Sequence, residues 1–199
     1  MRAVLSIHYL PNVLWMRHLL NGNAIIDVHE HFVKQTYRNR TTILSANGPL
    51  SLVIPVQKTA HKMSIHELKP DNTIHWQRQH WQSLKSAYGS APYFIHYADA
   101  FENLYSTNTQ SVLQFEVDLL KLCMKYLKVN VQVNLSDTYI ACMPGDIDLR
   151  YQITPKIHAN ETFKPYLQIF AEKFAFEPNL SVIDLLFNQG PRSIDYITK

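Results

Sequence analysis

The opening residues 1–30, MRAVLSIHYLPNVLWMRHLLNGNAIIDVHE, decide the fold class. A short apolar run, Ala3 to Ile7, precedes a segment that begins at Pro11 and repeats apolar residues at helical spacing. A second apolar run, Ala24 to Val28, follows Gly22, a residue typical of a helix end. Short apolar runs bounded by turn signals are typical of buried strands, so the pattern predicts strand, helix and strand. Interleaved strands and helices favour an α/β protein.

The rest of the chain continues this mixture. Two strand-like runs, Arg40 to Leu44 and Leu50 to Val56, flank Asn47-Gly48, a dipeptide typical of hairpin turns. Weak patterning from Ser136 to Glu161 predicts a long loop. The other predicted elements are strands at Ile65 to Leu68 and Val129 to Leu135, and helices at Ile74 to Tyr88, Pro92 to Tyr105, Thr109 to Leu127 and beyond a Ser181 cap. We therefore expect one α/β domain, residues 1–199, with a mixed sheet and helices packed on it.

Composition excludes several classes of protein. The net charge is only +3 and no dense Lys/Arg stripe is present, which argues against nucleic-acid binding. No apolar run approaches about 18 residues, so we expect no membrane span. His8 and Pro11 interrupt the apolar N-terminal stretch, so we expect no signal peptide and a cytoplasmic location. The two cysteines, without a CxxC motif, indicate neither a disulfide framework nor a zinc site. The sequence identifies no cofactor and leaves homo-oligomer formation open.

His8 follows the first predicted strand. In open α/β sheets, ligands bind beyond the carboxyl ends of the strands, where His8 and its neighbour Tyr9 would lie. The N-terminus of the next helix would supply free backbone N–H groups that favour an anion. We predict His8 as a catalytic acid or base and Tyr9 as a substrate contact. The alternative is a histidine that only hydrogen-bonds a neighbouring loop.

The segment His29-Glu30-His31 presents two histidines two residues apart. On a strand they share one face, so they could hold a metal together with a carboxylate. A third ligand could come only from elsewhere in the chain, such as His66 or His158. His31 is also predicted as a catalytic acid or base. The simpler interpretation is a solvated polar strand end.

The segment 34–40, KQTYRNR, is the strongest candidate for substrate binding. Lys34, Arg38 and Arg40 share one face if the segment is extended. Arginine binds phosphate or carboxylate through two hydrogen bonds, and Tyr37 could stack on a ring, with Asn39 between them. The ligand would be a small anionic molecule such as a nucleotide sugar. The alternative is an exposed edge strand kept soluble by its charge.

Familiar catalytic motifs are absent from the sequence. It contains no glycine-rich phosphate cradle, no GxSxG and no HExxH. The eight aromatic residues between Trp76 and Tyr105 lie at helical spacings and predict a core between two packed helices.

Five segments, in this order, resemble the WbqC-like family and span nearly the whole chain. They are SIHYLPNVLW (6–15), KQTYRNRTTIL (34–44), NGPLSLVIPV (47–56), HWQSLKSAYGSAPYF (80–94) and NLSVIDLLFNQG (179–190). The resemblance implies a bacterial, cytoplasmic protein, since members often sit in gene clusters for O-antigen and other surface polysaccharides. The matching polar positions are His8, Tyr9, Pro11, Lys34, Asn39, Arg40, Tyr88, Asp184 and Asn188. Many relatives carry a stretch with glycine and tyrosine before the final helix, which the segment Ser136 to Glu161 does not match.

Three functional hypotheses follow. The first is an enzyme of surface polysaccharide biosynthesis, a transferase acting on an activated sugar or amino-sugar precursor. The second is a non-catalytic binding or assembly protein of the same pathway. The third is a metal-dependent hydrolase that uses His29 and His31.

Overall fold

A computed structural model describes residues 1–58, 62–157 and 161–198 of the chain. Its strands are β1 (Ala3–Ser6), β2 (Ala24–Asp27), β3 (Arg40–Ser45), β4 (Gly48–Val53) and β5 (Ile147–Asp148). Its helices are α1 (Val13–Leu20), α2 (Trp76–Tyr88), α3 (Phe94–Ser106), α4 (Val112–Leu127), α5 (Val182–Gln189) and α6 (Ile194–Ile197). Two short 3₁₀ helices cover Ile65–Glu67 and Gly190–Ser193. The predicted α/β class is confirmed.

The strands form one parallel and one antiparallel sheet. The parallel sheet has the order β2-β1-β5, with Ala3 paired to Ala24 and Ser6 paired to Asp27. Helix α1 connects β1 to β2, which is the crossover that parallel neighbours require. Strands β3 and β4 form the predicted hairpin, in which Ser45 pairs with Gly48. Gly48 has a φ of +100°, a conformation that explains the glycine at this turn.

Two predicted strands are wrong. Residues Ile65–Glu67 form a 3₁₀ helix because Ser64 and Glu67 make a reciprocal capping box that favours a helical turn over extension. The segment from Val129 to Leu135 is extended but makes only one isolated bridge, between Leu135 and Ile26. Two backbone hydrogen bonds join this segment to β2: the Ile26 N–H donates to Asn134 O, and the Ser136 N–H donates to Ile26 O. The alternation of apolar and polar residues predicted an extended backbone, but it contained no information about which strand would pair with it.

The core is one cluster of buried apolar side chains from β1, β2, the β3–β4 hairpin and the helices α1 to α5. The predicted aromatic core is confirmed: Trp76, Trp81, Tyr88, Phe101 and Tyr105 are all buried. Helices α2, α3 and α4 each begin two or three residues later than the periodicity predicted. No helix in the described parts of the chain is long and apolar enough to cross a membrane.

Candidate functional site at the carboxyl edge of the parallel sheet

Three strands end at the same edge of the parallel sheet. Strand β1 runs out at Ser6 and leads to His8, β2 ends at Asp27, and β5 ends at Asp148. Strand β1 is central, and the chain reaches its neighbours β2 and β5 on opposite sides. Such a switch in strand order opens a crevice at the carboxyl ends, where open α/β sheets bind ligands.

His8 is buried at this edge, as the sequence predicted for its position. Its Nε2 lies 3.1 Å from Ser6 Oγ, and its ring centroid lies 5.6 Å from that of Trp15 and 5.2 Å from that of Tyr37. Its Nδ1 has no hydrogen-bond partner among the described residues. Burial, aided by the charge of Arg38, lowers the pKa of His8 well below its ordinary value. The imidazole is therefore neutral at pH 7.

The expected anion site at the N-terminus of α1 is wrong. Its first three N–H groups already donate to oxygen atoms: Val13 to Leu180 O (3.1 Å), Leu14 to Asn179 Oδ1 (2.9 Å) and Trp15 to Asn12 Oδ1 (2.9 Å). Asn12 is the N-cap residue of α1 itself, whereas Asn179 accepts its hydrogen bond from a loop that is distant in the sequence. Free donors at this edge must therefore come from side chains.

The turn between His8 and Asn12 is held in a strained conformation. Leu10 has a φ of +44°, which is unusual for a residue with a branched side chain. Its carbonyl accepts hydrogen bonds from Thr41 Oγ1 and Ser181 Oγ, both at 2.9 Å. Because backbone strain persists where the surroundings enforce it, and clusters at functional sites, the turn supports a site here.

A buried ionic network covers the ends of β2 and β5. Arg150 Nη1 donates to Asp27 Oδ2 (2.6 Å), and Arg150 Nε and Nη2 donate to the two carboxylate oxygens of Asp148 (2.9 and 2.6 Å). These hydrogen bonds raise the pKa of Arg150 and lower the pKa of Asp148. The Tyr139 ring lies over the guanidinium at 5.1 Å. The network ties both strand ends to the loop after β5.

Arg38 forms the second half of this network. Its Nε and Nη2 donate to the carboxylate of Glu30 (2.9 and 2.6 Å), and Nη2 also reaches Arg150 O at 3.0 Å. Both side chains are almost completely buried. Burial raises the pKa of Glu30, while the hydrogen bonds from Arg38 oppose that rise. The guanidinium that the sequence assigned to a ligand is thus bound by a carboxylate of the protein.

A cavity of about 370 Å³ lies beside this edge. Its lining residues include Tyr37, Thr42, Thr154, Pro155, Ile157, Glu161, Phe163, Glu177 and Asn179. Burial raises the pKa of Tyr37, and the Asn12 amide and the Arg40 charge beside its hydroxyl oppose that rise. Arg40 Nε is itself buried without a partner among the described residues. The cavity is therefore lined by one of the predicted substrate-binding residues, Tyr37, and the Arg40 charge lies close to the hydroxyl of that residue.

The other predicted substrate contacts lie elsewhere. Tyr9 points into the helical layer, where its hydroxyl bonds Tyr105 Oη (2.6 Å) and His80 Nδ1 (2.9 Å). Asn39 Nδ2 donates to Ile54 O at 2.8 Å and fixes the backbone beside β4. Lys34 is exposed and lines, with Arg40, a smaller and mostly apolar depression of about 250 Å³.

His29 and His31 do not act as a pair. The ring of His29 lies 4.3 Å from that of His66, whereas the exposed His31 joins Ser64 only through a backbone bridge. His158, named as a possible third ligand, lies outside the described residues. Within the described ranges, no group of three or more His, Cys, Asp or Glu side chains is placed to hold a metal ion.

A larger cavity, of about 460 Å³, lies at the start of α2. Asn72, Arg78, Trp76, Trp81 and Glu102 are among its lining residues. Trp81 Nε1 donates to Glu102 Oε1 at 2.7 Å, so these two groups already satisfy each other. Size alone favours this cavity, but we prefer the cavity beside Tyr37 because Tyr37 packs on His8, which follows the end of β1.

Sequence reasoning missed Asp27, Glu30, Asp148 and Arg150. Asp27 carried a usable signal, since it follows the apolar residues of β2 directly, as His8 follows those of β1. Arg150 carried none, because it lies in the weakly patterned loop and Asp27, the strand end that it binds, is 123 residues away along the chain.

The fold and the strand-end site define an α/β protein whose polar side chains converge at the carboxyl edge of a small parallel sheet. The chain belongs to the WbqC-like protein family, whose model matches residues 8–168. It is 24% identical over 197 residues to a protein of Mycobacterium tuberculosis (strain ATCC 25618 / H37Rv), "Uncharacterized protein Rv1507c", with 83% of each chain covered. No solved structure matches the chain.

Proposed function

We propose that the protein is an enzyme of bacterial surface polysaccharide biosynthesis, a transferase that binds an activated sugar or amino-sugar precursor at the carboxyl edge of its parallel sheet. The observation that carries the proposal is the convergence of polar side chains from β1, β2 and β5 at one switch in strand order. Membership of the WbqC-like family supports the pathway.

In this proposal the residues have different roles. Tyr37 faces the ligand because it lines the cavity, and Arg40 acts through Tyr37 because its charge lies close to the Tyr37 hydroxyl. His8 lies behind the Tyr37 ring and does not line the cavity, so it acts as a positioning residue unless Tyr37 moves aside. Arg38 supports the site through Glu30 and the Arg150 carbonyl. The predicted acid–base role of His31 has no supporting contact among the described residues.

A second candidate is a non-catalytic binding protein of the same pathway. This candidate is favoured because His8, the predicted acid or base, and Arg38, a predicted ligand contact, are both buried, each about 1% exposed. A binding protein needs only the donors around the cavity, whereas a transferase needs a group that reaches the reacting atoms.

A thermal-shift screen against sugar nucleotides and acyl-CoA thioesters, followed by a transfer assay with labelled donor, tests both candidates. A ligand at about 100 times its Kd stabilises the folded state by about 2.7 kcal/mol. For a chain of this length that raises the Tm by roughly 5–10 °C. The matched variants are Arg40→Ala, beside the strand-end cavity, and Arg78→Ala, which removes the same charge from the cavity at α2.

We expect a shift with a sugar nucleotide that Arg40→Ala abolishes and Arg78→Ala retains. Transfer of the labelled group would then support the transferase, and binding without transfer would support the second candidate. A shift abolished only by Arg78→Ala would refute the assignment of the site. We further propose that residues 1–199 form one cytoplasmic domain, since α5, beyond the matched range, is buried in the same core.

A further inference from the structure

The outer face of the β3–β4 hairpin joins the cavity beside Tyr37 to a second depression. Thr42 pairs with Ser51, and both line the cavity beside Tyr37. Arg40 pairs with Val53, and both line the smaller depression of about 250 Å³. Residues two apart on a strand point to the same face, so the two pairs lie roughly 7 Å apart along one face. The cavity and the smaller depression are therefore neighbours, and one ligand can reach both.

The two neighbours differ in charge. Glu161 and Glu177 line the cavity beside Tyr37, whereas Lys34 and Arg40 line the smaller one, which we call the Lys34–Arg40 depression. Among the described residues, none of those that line the Lys34–Arg40 depression is acidic. Neither Lys34 nor Arg40 forms an ion pair within the described ranges. Cationic side chains of this kind raise the local concentration of anions, so this depression favours a negatively charged group.

Arg40 supplies the most specific donor of the Lys34–Arg40 depression. Its Nε is buried and has no hydrogen-bond partner in the described part of the chain. Nε and the adjacent Nη form one edge of the guanidinium, and such an edge binds carboxylate or phosphate through two parallel hydrogen bonds. Lys34 is exposed and adds a point charge. Because buried polar atoms almost always have a partner, Arg40 Nε calls for an acceptor from a ligand.

The remaining lining of this depression is mostly apolar. The apolar lining residues are Phe32, Val53, Ile54, Pro55 and Val56. Asn39 also lines it, but its Nδ2 already donates to Ile54 O at 2.8 Å. The hydroxyl groups of a bare sugar would therefore find few partners here, whereas an aromatic ring or an acyl chain would bury apolar surface against these walls.

A turn before β3 holds Lys34 in place. Gln35, which also lines the depression, has a φ of +61°, in the left-handed region that is uncommon for residues other than glycine. Thr36 Oγ1 closes the turn by donating to Val33 O at 2.7 Å. Because such strain persists only where the surroundings enforce it, and clusters at ligand sites, the turn supports a binding role for this wall.

We infer that the Lys34–Arg40 depression binds an amphipathic organic anion, that is, a phosphate or carboxylate group joined to an aromatic ring or a short apolar chain. Arg40 and Lys34 hold the charged group, and the apolar walls cover the ring or chain. The inference rests on the proposed function, because it names the class of the group attached to the sugar that lies over the neighbouring cavity. The volume of about 250 Å³ is below the roughly 300–1,000 Å³ of pockets for drug-sized ligands, so the depression suits one ring with its charged group.

Two pairs of variants test the cationic side chains. Lys34→Glu reverses the charge of an exposed residue, and Lys121→Glu is its control, because Lys121 is an exposed lysine that lines a different, mostly apolar depression on α4. Arg40→Met removes the donors and keeps an apolar stem. Its control is Arg78→Met, which removes an exposed arginine from the cavity at α2. Circular dichroism checks that each variant is folded.

A third pair tests the apolar wall. Val53 and Leu50 of β4 are both 37% exposed, but only Val53 lines the Lys34–Arg40 depression. Because they are three positions apart on one strand, their side chains point to opposite faces. Val53→Ser therefore removes part of the wall, and Leu50→Ser makes a comparable change on the other face.

Calorimetric titrations at constant ionic strength use phenyl phosphate and phenylacetate as amphipathic probes. Inorganic phosphate and acetate carry the same charged groups without the ring, and benzyl alcohol carries the ring without the charge. We expect phenyl phosphate or phenylacetate to bind at least about ten-fold more tightly than its counterpart without a ring and than benzyl alcohol. The preferred probe distinguishes a phosphate from a carboxylate ligand.

Lys34→Glu and Arg40→Met should each weaken binding of the preferred probe by about ten-fold or more, and Val53→Ser by about three-fold, while the three controls leave it unchanged. Four results would overturn the inference. They are equal binding of the probes with and without a ring, equal binding of benzyl alcohol, no binding of either amphipathic probe at about 10 mM (roughly 10,000-fold weaker than a micromolar ligand), and an unchanged affinity in folded Lys34→Glu or Arg40→Met.

The outcome separates this inference from the proposed function. Binding of the amphipathic anion that depends on Lys34, together with no thermal shift by any sugar nucleotide, would uphold the ligand class and remove the proposed transferase. A sugar-nucleotide shift that Lys34→Glu leaves unchanged would uphold the cavity beside Tyr37 and remove the Lys34–Arg40 depression from ligand binding.

Discussion

Replacing Arg38 by methionine breaks a buried ion pair and leaves Glu30 without its partner. The guanidinium makes two hydrogen bonds to the carboxylate, at 2.9 and 2.6 Å, and both side chains are at most 1% exposed. Removing one member of such a pair costs about 3–5 kcal/mol of unfolding free energy, because an uncompensated charge stays buried. Replacing both members, in Glu30→Leu/Arg38→Met, should restore most of that loss, since no charge is then stranded.

The loss in Arg38→Met should depend on pH. Burial already raises the pKa of Glu30, and the variant removes the hydrogen bonds and the charge that oppose the rise. The folded variant then binds a proton that the unfolded chain, with a pKa of about 4.3, has released. Its unfolding free energy therefore falls as pH rises between these two pKa values, by at most about 1.4 kcal/mol per pH unit.

Urea denaturation of the wild type, both single variants and the double variant at pH 5.0, 6.0 and 7.5 measures the coupling. We expect Arg38→Met to lose more stability at pH 7.5 than at pH 5.0, and the double variant to show no such dependence. A loss below about 1 kcal/mol at pH 7.5, or a double variant no more stable than Arg38→Met, would refute the reasoning.

Three further predictions concern the core and one turn. Glu116→Leu should raise the unfolding free energy by about 1–3 kcal/mol, because the fully buried carboxyl has no partner among the described residues; an unchanged urea midpoint would contradict this. Burial lowers the pKa of His80 from the ordinary 6.5 to about 4. As the pH drops, the unfolded chain therefore takes up a proton before the folded protein does. The unfolding free energy should fall by about 3 kcal/mol between pH 6.5 and pH 4. In His80→Gln the unfolding free energy should depend less on pH in this range. An equal pH dependence in the variant and the wild type would show that His80 is not the group responsible. Gly190→Ala should lower the unfolding free energy by about 1–3 kcal/mol more than Gly145→Ala does. The new Cβ at position 190 would lie well inside van der Waals contact with the Tyr93 ring, whereas the Cβ at position 145 would meet open space. Equal thermal midpoints of the two variants would contradict this prediction.

The sequence predicted the elements whose signal is local. The run from Ala3 to Ile7, the helix behind Pro11 and the hairpin at Asn47-Gly48 all appear, because apolar periodicity and turn residues act over a few neighbouring positions. The strand predicted at Ile65 to Leu68 failed because a side-chain capping box outweighed its short apolar pattern. Helix starts were two or three residues early, since periodicity does not mark the capping residue.

The candidate site was only half visible in the sequence. His8, Tyr37 and Arg40 could be selected by residue type and by position after a strand or within a basic segment. Residue type predicted the same role for Arg38 and Arg40, yet the fold pairs Arg38 with Glu30 and leaves Arg40 Nε without a partner among the described residues. Which arginine is free depends on which carboxylate comes near, and residue type contains no information about that.

By itself, then, the sequence determined the α/β class, the strand–helix–strand opening and the set of polar residues from which a site could be built. Only the tertiary structure decided that Arg150, from the weakly patterned loop, closes the end of β2 through Asp27, and that Tyr37, Glu161 and Glu177 line one cavity. The physical reason is range. Helix periodicity, strand alternation and turn chemistry act between neighbours in the chain, whereas the ion pair of Arg150 with Asp27 and the Asn179 cap on α1 join segments more than 100 residues apart.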